Sequence, residues 1–444
     1  MTLTLCGANV YRVCLALSRA QIGQRVTKHF LWEFKNSDAY GAASLDKLHV
    51  FDGGVWGRHL WKVIVAVLQK MNRASEFNEN FDNLPRWRDL AHLSAPTTID
   101  YSESETFLTI LKCALPCLVQ LMPNKSCLVR VVRIMQKINI MLGLEVATKT
   151  DWTYWTEIND EFGKDFRFLK QHMLSHASAD IRAKGATRNT TTRVGEGFQQ
   201  EVSAMYKKTN GKRAEHQISV IDEKEETLAY LDVKVDAWQR MKDDEDELLA
   251  AAPMTMVHWR LGTASRPRSS HSVEQLEGGN SEFRNFDMRL REYIARQHPG
   301  IYLRREDDIE IVQCKTLYVD FQSRVNWKQG RDILRCNPMF HERPRYDSVM
   351  YAAEGDESAM ARLDFLCRCR LPDGQTIDLA LTRTDCPIRE WQPARPGQCK
   401  TAFIAVEHIT RGCLLAPIPG AAREIFYVMD CVDADMFLRL HNVE

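Results

Sequence analysis

Residues Phe166–Tyr206 read FRFLKQHMLSHASADIRAKGATRNTTTRVGEGFQQEVSAMY. Two histidines, His172 and His176, stand one helical turn apart. A polar turn, Gly185-Ala186-Thr187-Arg188-Asn189, follows, and a second helix opens with Glu196 in its first turns. Between the helices, Gly185 to Arg193 holds glycine, asparagine and four threonines, residues that bend the chain and bond to nearby backbone. Helix, polar turn, helix, with titratable groups on each part, is the layout of a site.

Upstream of this stretch the pattern is helical. Leu60, Trp61, Ile64, Val65, Leu68 and Met71 recur at i, i+3, i+4, the spacing of an amphipathic helix with one buried face. Ser75 is placed to cap a short helix ending near Pro85. Further stripes run through Phe107, Ile110, Leu111, Ala114, Leu118 and Leu121, with a kink expected at Pro116, then through Leu128, Val131, Val132, Met135, Ile138 and Leu142, and through Trp152, Trp155, Ile158, Phe162 and Phe166. The aromatic series faces one helical side, as a core does.

Downstream the composition changes. The blocks IDEKEE (221–226) and DDEDE (243–247) are solvated or linker-like, Gly262 to Asn280 has loop composition and reads as an inter-domain linker, and Phe283 to Gln297 suits a short helix. From Ile309 onward short β-prone runs follow one another, divided by signals such as Leu371-Pro372-Asp373-Gly374. The sequence thus predicts an α+β chain: an N-terminal segment (1–43), a mostly α-helical body (44–250), a linker with a short helix (251–305), and a β-rich C-terminal barrel or sandwich (306–444).

The chain has 444 residues, 44% of them hydrophobic, and a formal net charge of zero, so any nucleic-acid surface must be local. The most basic stretch, 182–213, includes Lys184, Arg188, Arg193, Lys207 and Lys208; these are the candidate phosphate contacts, against the plainer reading of a solvated loop with helix-end lysines. Thirteen cysteines are scattered without zinc-finger spacing, Cys113-x3-Cys117 and Cys367-x-Cys369 being the closest pairs, which suits reduced thiols in an intracellular protein, nuclear or cytoplasmic. No apolar run reaches the roughly 20 residues of a membrane span. Without a P-loop, a G-x-G-x-x-G or a G-x-S-x-G, no small-molecule substrate is expected.

A second site-like block spans Val26 to His59, VTKHFLWEFKNSDAYGAASLDKLHVFDGGVWGRH, and contains Asp46-Lys47-Leu48-His49, a D-x-x-H. Its plain reading is local: Ser44 caps a helix, Asp46 faces the helix dipole in the first turn, and His49 packs one turn on. His172 and His176, at i and i+4, lack the glutamate of an H-E-x-x-H, so helix-packing or loop-pinning roles are expected over a metal site, and Asp180, Lys184 and Arg188 suit a salt network holding the turn, with Asn189 at its end.

Both blocks resemble a fungal transposase group, the Plavaka-like relatives of the Kyakuja-Dileera-Zisupton (KDZ) transposases. In the first quoted stretch the matching positions are Phe168, Lys170, His172, His176, Asp180, Ile181, Ala183, Lys184, Gly185, Thr187, Arg188, Asn189, Thr192, Glu196 and Tyr206; in the second, Phe30, Trp32, Asn36, Ser37, Asp38, Ala42, Ser44, Asp46, Leu48, His49, Gly54, Gly57, His59 and Trp61. The C-terminal part adds Trp327, Leu334–Pro338, Phe340-His341, Pro344–Asp347, Ile409–Gly412 and Asp433–Arg439. The chain departs from the family pattern at Thr190-Thr191, Gln199 and Ser203.

The resemblance implies a DDE-type, RNase H-like core in which two aspartates and a final glutamate hold two Mg2+ ions that clamp the reacting oxygens of a phosphodiester. It places the final glutamate at Glu196 and the D-x-x-H at Asp46 and His49. In the family the two aspartates lie on strands well upstream of that motif, and Met1 to Tyr40 offers no β-prone run with a strand-borne aspartate, Asp38 sitting in an Asn-Ser-Asp turn. The expectation is therefore a C-terminal part of such an enzyme with Glu196 orphaned, no cofactor in the chain itself, Mg2+ only if an intact core were present, and a remaining role in binding DNA, a partner chain or a second copy. The alternatives are an active metal-dependent polynucleotidyl transferase completed by another segment or subunit, and a protein-interaction module.

Overall fold

A computed structural model describes residues 34–35, 44–88, 90–100, 103–122, 126–145, 173–174, 176–228, 230–231, 234, 257–262, 264–276, 280–340, 343–353, 358–384, 386–388, 400–417 and 425–441. The stripe Trp152 to Phe166, His172 and the expected N-terminal segment, apart from Phe34 and Lys35, lie outside them. The chain is α+β, with helices in its first half and antiparallel sheets in its second.

The helical body contains α1 (Lys47–Leu60), α2 (Trp61–Lys70), α3 (Ala74–Asp82), α4 (Ser104–Val119), α5 (Cys127–Gly143), α6 (Ala177–Lys184) and α7 (Arg193–Lys207). The expected stripes are buried: Trp61, Ile64 and Leu68 on α2, Phe107, Ile110, Leu111, Ala114 and Leu118 on α4, and Val132, Met135, Ile138 and Leu142 on α5. Ser75 is not a cap; α3 starts one residue earlier, behind Arg73, without a side-chain cap bond.

The helix α1 is wound as a π-helix, a form usually confined to single turns. Its wider turn brings residues five apart together, so the buried Asp52 accepts two bonds from Lys47 Nζ at 2.7 and 3.0 Å. In an α-helix the same two side chains would stand well apart around the barrel. Glycines let α1 approach α4: a Cβ at Gly57 would lie 2.7 Å from the Phe107 ring, and Trp56 donates through Nε1 to the Phe107 carbonyl at 2.7 Å. Gly57→Ala is therefore expected to cost about 1–3 kcal/mol through overpacking. Gly143→Ala, with nothing within 4 Å of the new Cβ, should be neutral or stabilising by up to about 1 kcal/mol. Urea unfolding of the two variants checks the contrast.

The β-rich part opens with β1 (Trp259–Leu261), β2 (Arg268–Ser269), α8 (Ser270–Leu276) and α9 (Phe286–Gln297). These elements correct the expectation of a linker over 262–280. β1 pairs antiparallel with β4 (Thr316–Gln322), β2 pairs with β3 (Glu310–Cys314), and α8 and α9 bury Val273, Phe286, Leu290 and Ile294 in the core of the β module. Serine and arginine gave this stretch a loop-like composition because its strands are short and lie at sheet edges.

The remaining strands are β5 (Gln329–Phe340), β6 (Arg343–Tyr346), β7 (Ser348–Ala352), β8 (Ser358–Arg370), β9 (Thr376–Thr384), β10 (Cys386–Ile388), β11 (Lys400–Ala405), β12 (Ile409–Cys413), β13 (Leu415–Pro417) and β14 (Ile425–Val428), before the last helix α10 (Ala434–His441). The order β11-β9-β8-β3-β2 forms the large sheet, extended through β7 and β12; β1-β4-β5-β6 forms a second, and β10-β14-β13 a third. The expected turn at Leu371–Gly374 joins β8 to β9 as a hairpin closed by Gly374 N to Leu371 O at 2.9 Å. Alternation divides the large sheet: Cys367, Cys369, Leu379 and Leu381 face α9, while Leu366 and Ala380 face Leu317, Val319 and Leu334 of the second sheet. Helices, sheet and sheet are thus stacked in open layers, and no closed barrel is formed among the described residues.

The helical body and the C-terminal part share one core. Side chains of α1 to α5 pack with Leu414, Leu415, Val428, Met429, Val432 and Met436 in a single cluster. An ion pair reinforces it: Arg133 on α5 grips Asp430 with both guanidinium nitrogens, and His441 Nε2 lies 2.6 Å from the same carboxylate. Among the described residues no helix is long and apolar enough to cross a membrane.

Candidate functional site

The two site-like stretches meet. Asp46 stands at the N-terminus of α1 and accepts from the Leu48 amide at 3.3 Å, so it, and not Ser44, is the cap. Thr192 stands at the N-terminus of α7, the helix that carries Glu196, and makes no cap bond of its own. Its hydroxyl instead donates to Asp46 Oδ2 at 2.8 Å, and its amide reaches Asp46 Oδ1 at 3.4 Å. His49 Nδ1 lies 2.6 Å from Asp46 Oδ2 and 3.1 Å from the Thr192 hydroxyl. An ionised carboxylate only accepts, so the imidazole donates through Nδ1. Burial alone would raise the Asp46 pKa, but the bonds from Thr192 and His49 outweigh it and hold the group below the usual aspartate value.

The polar turn is fastened to the same place. Asp180 on α6 accepts from the Leu45 amide at 2.9 Å, Lys184 donates to Ser44 Oγ at 2.7 Å, and the Thr190 hydroxyl donates to the Leu45 carbonyl at 3.1 Å. Gly185 ends α6 at φ +86°, where a side chain would be strained and would meet Asn189 Nδ2 at 2.7 Å. Asn189 donates to the Lys184 carbonyl at 3.2 Å across that turn. Thr187 Oγ1 donates to the Leu142 carbonyl at 2.5 Å, pinning the turn to the end of α5.

The basic residues are largely matched by acids. Lys184 lies 3.6 Å from Asp180, Arg188 2.7 Å from Glu145, Arg193 2.7 Å from Glu105 and Lys208 2.7 Å from Glu225; Lys207 is exposed at the end of α7. The salt network holding the turn is thus present, with Arg188 directed to Glu145 instead of Asp180. His176 is exposed ahead of α6, and its pairing with His172 falls outside the described residues. Glu196 lies one turn beyond Thr192 along α7; its side chain is outside the described ones.

The C-terminal motifs converge as well. Arg411 on β12, fully buried, lies 2.8 Å from Asp433 and 3.4 Å from Asp332, also pairs with Asp435, and stacks 4.5 Å from the Phe321 ring centre. Arg88 and Arg439 approach the same ring, and the Arg324 and Gly412 amides donate to Asp435 and Asp332 at 2.6 and 2.9 Å. Spacing alone did not join these residues, since Asp332 comes from β5, Asp433 from the residue before α10 and Asp435 from its first turn.

No protein-family model, curated protein or solved structure matches the chain. The site is read from its own contacts. The described carboxylates do not fit a shared divalent cation: Asp46 has both oxygens occupied by four donors, and Asp52 is held by Lys47, burial raising its pKa against the pull of that lysine. Among the described residues no three His, Cys, Asp or Glu side chains are grouped to hold a metal. Thr192 and Ser44 are among the motif positions, but their contacts, like those of Leu45, could not be read from the sequence because their partners are more than a hundred residues away. The arrangement can fix one helix start against another, with the Thr192 hydroxyl and His49 Nδ1 both donating to Asp46.

Proposed function

We propose that the chain is a transposable-element-derived protein, a catalytically inactive remnant of a DDE-type DNA transposase of the Plavaka-like KDZ group. Its D-x-x-H serves as a clasp, and its remaining work, in the nucleus or cytoplasm, is to bind DNA or a partner chain. One observation carries this reading: the Asp46 carboxylate is saturated by Leu48, His49 and the start of the very helix that bears Glu196. Two carboxylate oxygens offer about four lone-pair sites, and four donors fill them. Asp46 is thereby committed to holding the starts of α1 and α7 together.

The test is a plasmid assay with the purified chain in Mg2+ or Mn2+. No metal-dependent nicking or strand transfer is expected from the wild type. Nicking that disappears in Glu196→Gln would overturn the proposal. Thr192→Val isolates the clasp: losing one hydrogen bond to a charged acceptor should lower stability by roughly 1.5–3 kcal/mol and raise amide exchange at the start of α7.

A further inference from the structure

The second sheet has a face that the core does not use. Leu317, Val319, Leu334 and Cys336 point inward, so alternation sends Tyr318, Asp320, Arg331, Ile333 and Arg335 outward. The register aligns Arg260 with Tyr318 and Ile333, Asp320 with Arg331, and Asn337 with Arg345. Arg343, two residues before Arg345 and exposed, belongs to the same side. Guanidinium and ring alternate across this face: Arg260 lies 4.6 Å from the Tyr318 ring centre, and Arg335 and Arg345 each lie 5.3 Å from that of Phe340.

Where β5 runs past the helical body, a cleft of about 320 Å³ is lined by Trp87, Arg88, Arg331, Arg335, Phe340 and Arg345, among others. The carboxylates in and beside it are committed inward or sideways. Asp332 is buried against Arg88 and Arg411, Asp347 is partly buried against Arg345, and Asp320 pairs with Arg331 at 2.6 Å. Burial pushes the pKa of Asp332 and Asp347 upward, the neighbouring arginines only partly offsetting it. Six arginines therefore meet three aspartates, of which Asp332 is buried and Asp347 partly buried against Arg345, and the accessible surface is cationic.

We propose that this face and its cleft form a binding platform for single-stranded nucleic acid. A lone phosphate reaches only donors within about 3 Å of its oxygens, whereas the strand-borne arginines sit on β1, β5 and β6 of a four-stranded sheet whose neighbouring strands are about 4.8 Å apart; a chain of phosphates matches that spread. The interleaved rings and the exposed Ile333 would stay wet under a duplex, which offers its backbone, but they accept the faces of unpaired bases. Arginine already stacked on an aromatic ring presents its donors in a fixed plane to phosphate. The platform is separate from the clasp at Asp46, and its test does not depend on strand cleavage.

The experiment is fluorescence anisotropy of the full chain with a labelled thymidine strand of about 20 nucleotides. With three phosphate contacts, affinity should fall roughly 10- to 20-fold between about 50 and 200 mM salt. Arg260→Ala/Arg331→Ala/Arg343→Ala, at exposed positions, should weaken binding at least about tenfold with an unchanged circular-dichroism spectrum, and Lys207→Ala/Lys208→Ala should leave it as it is. An unlabelled ribose strand should compete like the deoxyribose one; thymidine monophosphate should not. The proposal is overturned by absence of binding at low salt, by a folded triple variant that binds like wild type, by loss of binding in the lysine pair instead, or by a duplex of the same length that binds as tightly.

Discussion

Arg133→Met is expected to lower the stability of the chain by about 3–5 kcal/mol, the cost of leaving a buried charge without its partner. Asp430 lies in the interior against α5, and the substitution removes the one cationic partner that grips its carboxylate with two nitrogens, leaving His441 and the Cys431 thiol beside it. The double variant Arg133→Met/Asp430→Leu should recover much of the loss, because two apolar groups need no compensation. Guanidinium unfolding of the three proteins checks this. A pH series adds a sign. Burial alone would raise the Asp430 pKa, but the charge of Arg133 and the bonds from His441 and Arg133 overcome it and hold the folded-state value far below that of an exposed aspartate. Such a group stabilises the fold above the unfolded aspartate pKa of about 3.9, and that contribution is lost as the pH falls through the lower folded value. In the double variant this part of the acid-dependent loss should vanish, giving a flatter stability curve below about pH 4.

Arg411→Met should be comparably severe, again about 3–5 kcal/mol, because one guanidinium faces Asp332, Asp433 and Asp435 at once. Arg411→Lys should rescue little: an ammonium cannot fork between carboxylates or lie flat on the Phe321 ring. The expected signature is local as well as global. Asp332 accepts from the Gly412 amide and pairs with Arg88, so loosening it should raise amide exchange in β12 and along the edge of β5. Equal stability of Arg411→Lys and wild type by thermal unfolding would contradict this account.

The helical body was legible because its apolar residues recur at a helix period over long runs, as in Phe107–Leu118 and Val132–Leu142. The β-prone runs from Ile309 onward were legible by alternation. β5 was not. Its outward face is arginine, it carries Asp332 inward as a buried partner of Arg411, and Pro338 interrupts the pattern where the pairing with β6 shifts register between Asn337 and Phe340. The winding of α1 was equally hidden, since its i to i+5 pairing of Lys47 with Asp52 and the close approach of Gly57 to Phe107 on α4 leave no mark in the local apolar pattern. Of the candidate site, Asp46, His49, Asp180 and Lys184 were named from the sequence, and the structure joins them. The bond by which Thr192 ties Asp46 to α7 was not legible because its partner lies 146 residues away. Two counter-ions of the 182–213 stretch, Glu105 and Glu145, could not be read from its own composition for a similar reason, since they belong to other segments.

The core shared by α5 and residues Val428 to Leu438 makes the helical body and the C-terminal part depend on each other. A deletion that removes the last segment uncovers the apolar side of α5 and strands Arg133, while one that removes the helices leaves β14 and α10 without a floor. Neither half is a module that recombination can donate intact to another protein. A folded chain needs α5 and the segment from Val428 to Leu438 together.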